Sequence, residues 1–495
     1  MSDTLIIWGG AALYVLAMLL VGFWAHRRIQ RSEDFIVAGR RLPLWLATAT
    51  LSATWFGGAT VLGAGGAAYK QGFYGVIPDP FGAGICLFIA GLIVVRTVRR
   101  MKLLTVPDFF RLRYGRQTDL VASIALTFAY AGWTAAQIVV IGKVLYSLAD
   151  VNPVLGMVVG AIVVVTYTYF GGMWAVTITD FLQILILVLG LLVMLPLVIA
   201  ACGGLSAYLS GVPEGSFNLM PPEGSGGLDW LNWFRAWIVL GLGNLAGQDL
   251  LQRSFASRDE RVAQNSAYLS GIFYLTFGLI PLFIGLAGTI LLPDLALEDP
   301  ELVIPLMAKQ FLPVPLMALF LGALIAAIMS SADSALLVPS SIIGQNLLRY
   351  FDPGVSQESV LKWSQRSVPF VGLLALGIAL RLPKAYELLV ESFALLLVVL
   401  FVPFMAGIWW KRANLPGALA AMGVGFLTYV ILKIVTGNDA GDVVAVALAA
   451  IALVTVSLRT ADRHPPRPLT DIEGRPINLK GRMGIPGAPM GASGE

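Results

Sequence analysis

The sequence predicts an all-α integral membrane protein with about 13 transmembrane helices, on three observations. Apolar residues make up 57% of the chain and charged residues 13%, where an ordinary soluble domain carries about 25% charged residues. Apolar runs long enough to cross a bilayer recur between positions 5 and 458 with only short polar breaks. Basic residues crowd into alternate breaks, as the positive-inside rule requires of a multi-pass protein.

Windows of about 20 apolar residues place spans near 5–25, 43–69, 75–98, 119–148, 153–171, 174–200, 229–250, 266–292, 314–340, 366–382, 386–410, 414–435 and 440–458. The first run has no basic stretch before it and no small-residue cleavage site, so it reads as a retained span rather than a signal peptide. The break after it holds Arg27, Arg28, Arg31, Arg40 and Arg41, and the break after the third span holds Arg96, Arg99, Arg100, Lys102, Arg111, Arg113 and Arg116. Those loops are cytoplasmic by the same rule. The long break at 203–228 has no Lys or Arg and faces outward. An odd span count then puts the N-terminus outside the cell membrane and the C-terminus in the cytoplasm. The tail, 460–495, is basic and rich in Pro and Gly, and is expected to be disordered.

Composition excludes several functions. The net charge of +4 is concentrated in loops, which speaks to orientation and leaves no footprint for nucleic acid. Cys86 and Cys202 have no paired spacing, and His26 and His464 lie outside the spans. Disulfide, thiolate-metal, zinc and His-based chemistry are therefore disfavoured. With two scattered intramembrane acids and no intramembrane His, a membrane enzyme lacks a nucleophile and base that converge.

The second span contains "TWFGGATVLGAGG" and the seventh "VLGLGN", five spans apart. Glycine weakens helix continuity and frees backbone carbonyls, so this spacing suggests two inverted five-helix repeats with discontinuous helices at a central site. Close helix packing on small residues is the alternative. The ninth span contains "LIAAIMSSADSALLVPSS", apolar enough for lipid yet carrying Asp333 and five serines. Ala327, Ser330, Ser331 and Ser334 recur at spacings of three and four on one face, beside Asp333. Hydroxyls, a carboxylate and freed carbonyls are hard oxygen ligands suited to an alkali cation. Otherwise the serines bond back to their own helix and Asp333 caps or pairs with an Arg. Asp180, near the cytoplasmic end of the sixth span, has Ser330, Ser334 and an intervening cation as its expected partners, or else reaches interfacial water.

Four segments, "TWFGGATVLGAGGAAYKQG", "YFGGMWAVTITDFLQ", "GQDLLQRSFASRDE" and "AAIMSSADSALL", stand in an order that resembles the sodium/solute symporter family. The resemblance covers about 42–410 and implies the inverted-repeat fold of the leucine transporter. It implies a sodium ion (Na+) held by the carbonyls of Ala53, Phe56 and Ala327 and the hydroxyls of Ser330 and Ser331. A second sodium, found in some relatives, would fall among Asp180, Ser330, Asp333 and Ser334. Trp55 stands where proline permeases carry an Asp, so a proline-type arrangement is disfavoured.

The spelling "ATWFGG" and Trp133 in "AGWTAAQ" resemble the choline-transporter-like branch, in which aromatic rings surround a quaternary ammonium. Indole faces attract such a cation. Gly247 occupies the position where that branch has another Trp. Trp55 and Trp133 are also read as packing or interface residues. Gly57, Gly58, Gln137 and Asn244 complete the candidate substrate residues. Arg235 either faces the cavity, favouring a carboxylate solute, or snorkels outward.

The resulting organisation is an extra helix and loop at 1–42, a first repeat at 43–200, an outer loop at 201–228, a second repeat at 229–412, two further helices at 413–459 and the tail. The expected activity is sodium-coupled import of a small solute such as choline or betaine by a monomer or weak oligomer contacting lipid. Import of an amino acid or monocarboxylate is the alternative within the class, and a transporter-like membrane sensor the alternative outside it.

Overall fold

The second and seventh expected spans are each broken within the membrane segment. In the computed structural model the second span runs as Leu44–Trp55, breaks at Phe56 and Gly57, and resumes as Gly58–Gln71. Twelve residues rise only about 18 Å, short of the roughly 30 Å of a bilayer core. The seventh runs as Gly227–Gly243, tightens through a 3-10 turn at Asn244–Ala246, becomes extended at Gly247, and resumes as Gln248–Ala256. The breaks fall where the glycines predicted them, five spans apart.

The structure describes residues 31–149, 151–294 and 299–485, with positions 9, 16 and 20 before them. The first expected span thus lies almost wholly outside the described residues. Among the described residues, ten helices are long and apolar enough to cross a membrane, and only isolated bridges, with no strand, are formed. The fifth and sixth spans form one helical stretch, Pro153–Ala201, which doubles back. Tyr167 and Thr179 hydroxyls lie 3.0 Å apart, whereas 12 residues of straight helix would separate them by about 18 Å.

The ninth span, Val314–Ile342, continues through a π turn at Ile343–Leu347 and packs against the fourth, fifth and sixth spans. Its C-terminal end is locked by Asn346, whose amide donates to Asp108 at 3.2 Å and Asp119 at 3.1 Å and accepts from Thr105 at 2.7 Å. The ion pairs expected at the membrane surface include one that settles Arg235. Its guanidinium pairs with Asp442 at 2.7 Å and Glu391 at 3.2 Å, so it joins the seventh span to the eleventh and thirteenth and is spent outside the cavity.

Through residue 485, the last described residue, the tail lies against the ends of the third and eighth spans, where side chains donate to its main-chain carbonyls. Arg100 donates to the carbonyls of Asn478 and Lys480, Arg96 to that of Gly481, and Tyr268 to that of Gly484. Arg482 lies 3.8 Å over the Trp409 ring.

Candidate functional site

The polar stripe of the ninth span faces the break in the second. Ser331 Oγ donates to the Thr54 carbonyl at 3.1 Å and approaches that of Ala53 at 3.5 Å. Phe56 leaves helical geometry (φ −77°, ψ 58°), which swings its carbonyl off the helix axis. Gly57 fits between the two spans only because it lacks a side chain. A Cβ there would lie 1.8 Å from Ser331 Oγ and 3.6 Å from the Ala327 carbonyl oxygen. The oxygens of Ala53, Ala327 and Ser331 thus converge around one point, with Ser330 on the adjacent face.

Ser330 Oγ donates to Asp180, and Thr50 donates to the other oxygen of the same carboxylate. Asp180 is fully buried and does not reach interfacial water. Thr50 is the partner that the sequence reading missed. Because Ser330 spends its proton on Asp180, its lone pairs stay available to a cation on the opposite side. Asp333 touches Ser334 at 3.5 Å, and Ser334 accepts from Arg253 at 2.6 Å. Arg253 is wholly buried, with Asp180, Asp249 and Asp333 around its charge. Arg253, which lies within the "GQDLLQRSFASRDE" segment, therefore supplies the positive charge beside these acids.

A cavity lies beside the break, lined by Trp55, Trp133, Tyr274, Phe393, Asn244 and Asp79 among others. It measures about 20 Å³ by the room it leaves for the centre of a water molecule, space for water rather than for a solute. The rings are held edge to face, Trp55 against Tyr274 at 6.0 Å, while Trp133 tilts against Phe393 at 5.7 Å. Trp55 Nε1 donates to Asp249, whose other oxygen accepts from Tyr130. The Trp55 carbonyl accepts from Gly57 N at 2.8 Å and Thr60 Oγ1 at 2.8 Å. The break and the helix end before it thus carry the cavity wall and the carbonyls that face Ser331 together.

Of the candidate substrate residues, Trp55, Trp133 and Asn244 line this cavity and three do not. Gly57 and Gly58 pack against the ninth span: a Cβ on Gly58 would meet Ile328 at 2.1 Å. Their role is close helix approach. Gln137 is buried one turn beyond Trp133, outside the wall. The count of two intramembrane acids was low, because Asp79 and Asp249 also lie buried. Both fall inside expected spans, at 75–98 and 229–250, so an acid within an apolar run was the signal that could have found them.

The sodium:solute symporter family profile matches residues 35–425. Among curated relatives, the high affinity choline transporter 1 of Homo sapiens is 28% identical over 449 residues, covering 86% of this chain and 76% of that protein. The osmoregulated proline transporter OpuE of Bacillus subtilis is 27% identical over 438 residues, covering 86% and 88%. Among solved structures, a substrate-bound, outward-open Na+-coupled sialic acid symporter superposes with a TM-score of 0.76 at 21% identity, covering 93% of this chain and 98% of that one. That likeness carries the fold, and the leucine-transporter-type architecture expected from the motifs is the one observed. The break-and-stripe geometry and the match over most of its length lead to one conclusion: this chain is a multi-pass membrane transport protein belonging to the sodium:solute symporter family.

Proposed function

We propose that the protein imports a small organic cation, of the choline type, driven by sodium entering with it. The observation that carries this reading is the reach of Ser331 to the carbonyls at the break of the second span, which gathers hard oxygens from opposite repeats around one point. Sodium is assigned to the carbonyls of Ala53, Phe56 and Ala327 with the hydroxyls of Ser330 and Ser331. A second sodium is assigned to Asp180, Ser330, Asp333 and Ser334, where it would share its carboxylates with Arg253.

External sodium at the first site would hold the break in the form that presents Trp55 to the cavity. Coupling requires this differential affinity, since an ion that binds both states equally shifts nothing. Rocking of one helix group against the other then opens the cytoplasmic side. Each inward charge gains about 2.3 kcal/mol per 100 mV before any concentration gradient is counted. The N-terminus is assigned to the outside and the tail to the cytoplasm. The choline transporters among the relatives support the solute class, as do the aromatic walls.

The test is uptake of radiolabelled choline into proteoliposomes under an inward sodium gradient, against an equal potassium gradient. Accumulation only with sodium is expected. Sodium-independent uptake would remove the coupling, and binding without uptake would favour a sensor.

A further inference from the structure

The cavity wall carries one carboxylate, that of Asp79, and two buried acceptor oxygens without a donor. Asp79 sits in the irregular turn Ile77–Gly82, between Pro78 and Pro80, and is 2% exposed. Its Oδ1 has no hydrogen-bond partner, and neither has Asn244 Oδ1; both residues line the cavity. Two donors in the wall are already engaged. Trp55 Nε1 is given to Asp249 and Thr60 Oγ1 to the Trp55 carbonyl. Among the described residues that line the cavity, Asp79 is the only charged one and none is basic. Arg235 is held by Asp442 and Glu391, and Arg253 donates to Ser334.

A buried acceptor without a donor is costly in a folded protein, and a buried carboxylate more so. A ligand that brings both a positive charge and an O–H or N–H relieves both deficits. A ligand that brings a carboxylate meets Asp79 with like charge and finds no cation to receive it.

Resting on the reading of this cavity as the substrate site, we propose that Asp79, with Asn244, makes the transporter select an organic monocation carrying a hydroxyl or N–H donor and reject zwitterions and carboxylates. Asp79 is thus the charge-selecting residue of the pocket. The aromatic rings of Trp55, Trp133, Tyr274 and Phe393 hold the apolar part of the cation, and the Asp79 carboxylate receives its donor. Choline fits this description. Betaine, which replaces the hydroxymethyl end of choline with a carboxylate, does not, and neither does proline.

The test is calorimetric titration of the purified protein in sodium-containing detergent solution with choline, glycine betaine, tetramethylammonium and L-proline. Choline is expected to bind about 10- to 100-fold more tightly than betaine or proline, and more tightly than tetramethylammonium, which has no donor. In Asp79→Asn the choline-to-betaine ratio should fall by about tenfold or more, whereas Asp79→Glu should retain the preference for the cation. Unchanged thermal melting and gel-filtration behaviour verify that both variants are folded. The proposal is overturned if betaine or proline binds as tightly as choline, if folded Asp79→Asn keeps the wild-type ratio, or if no member of the panel binds. Repeating the titrations in potassium separates the two readings. Cation preference without sodium dependence leaves the role of Asp79 standing and removes sodium coupling. Sodium-dependent binding that prefers betaine does the reverse.

Discussion

Replacing Gly57 by alanine tests the convergence of the two spans more directly than removing any ligand. The added Cβ would lie 1.8 Å from Ser331 Oγ and 2.6 Å from Ser331 Cβ. Rotation of the serine can move Oγ away but cannot move Cβ. The remaining contact is about 0.8 Å shorter than the 3.4 Å at which ordinary packing begins, so the backbones of the second and ninth spans must separate. Overpacking of this kind costs about 1–3 kcal/mol, and on the proposed reading that cost falls on the close approach of the two spans that sodium binding needs. Sodium affinity should drop roughly 5- to 150-fold. The assay is thermal melting of the detergent-purified protein over a NaCl titration at constant ionic strength with KCl, since a ligand that binds only the native state raises the midpoint with concentration. Gly63→Ala is the control. Its Cβ would crowd the Tyr386 ring at 2.8 Å, away from the serines, and should lower the melting temperature without moving the sodium midpoint. A folded Gly57→Ala protein whose sodium midpoint stays within twofold of wild type would refute the convergence argument.

Other perturbations separate coupling from folding. Ser330→Ala removes one of two donors to Asp180 and should weaken the sodium activation of uptake more than it lowers the melting temperature; an unchanged sodium dependence would contradict its assignment as a ligand. Arg235→Met leaves the fully buried Asp442 without its cation and should destabilise the fold by about 3 kcal/mol, the low end for a broken buried pair because Lys433 still neutralises Glu391. Its choline-to-betaine selectivity, read by titration, should not change. Arg482→Ala removes the contact over Trp409 and should speed tryptic cleavage of the tail in the native protein, whereas a wild-type tail cut at once would show that the docking is not held in solution. Saturating solute should raise sodium affinity by the same factor by which saturating sodium raises solute affinity, a reciprocity that paired titrations measure directly.

The parts of this molecule that were legible in its sequence are those with local signals. Glycine runs mark the broken spans because they act on the helix that contains them, and the serine stripe is a spacing within one helix. Three other features depend on distant partners. Arg235 finds Asp442, 207 residues away, and nothing in its own span indicates this choice over the cavity. The tail docks through its carbonyl groups, which every residue carries, so its composition does not show where it packs. Asp79 lies in an apolar run whose periodicity does not say which face looks inward, and the cavity wall becomes apparent only when the second, third, fourth, seventh, eighth and eleventh spans are assembled around it.

On the proposed reading, sodium and solute are coupled through main chain rather than through a relay of side chains. The Ala53 carbonyl, two residues before Trp55, lies 3.5 Å from Ser331 Oγ of the ninth span, while Trp55 itself lines the cavity. Because Phe56 is not helical and the Trp55 carbonyl is held by Gly57 N and Thr60 Oγ1, the dihedral angles of this short break set both groups at once. On that reading, a cation drawing the carbonyls into its coordination shell would fix the angle of the indole ring, and a solute seated on the ring would fix the carbonyls for the cation. Trp55 is further tied through its indole N–H to Asp249 at the break of the seventh span, so the two discontinuous helices are drawn into the same adjustment.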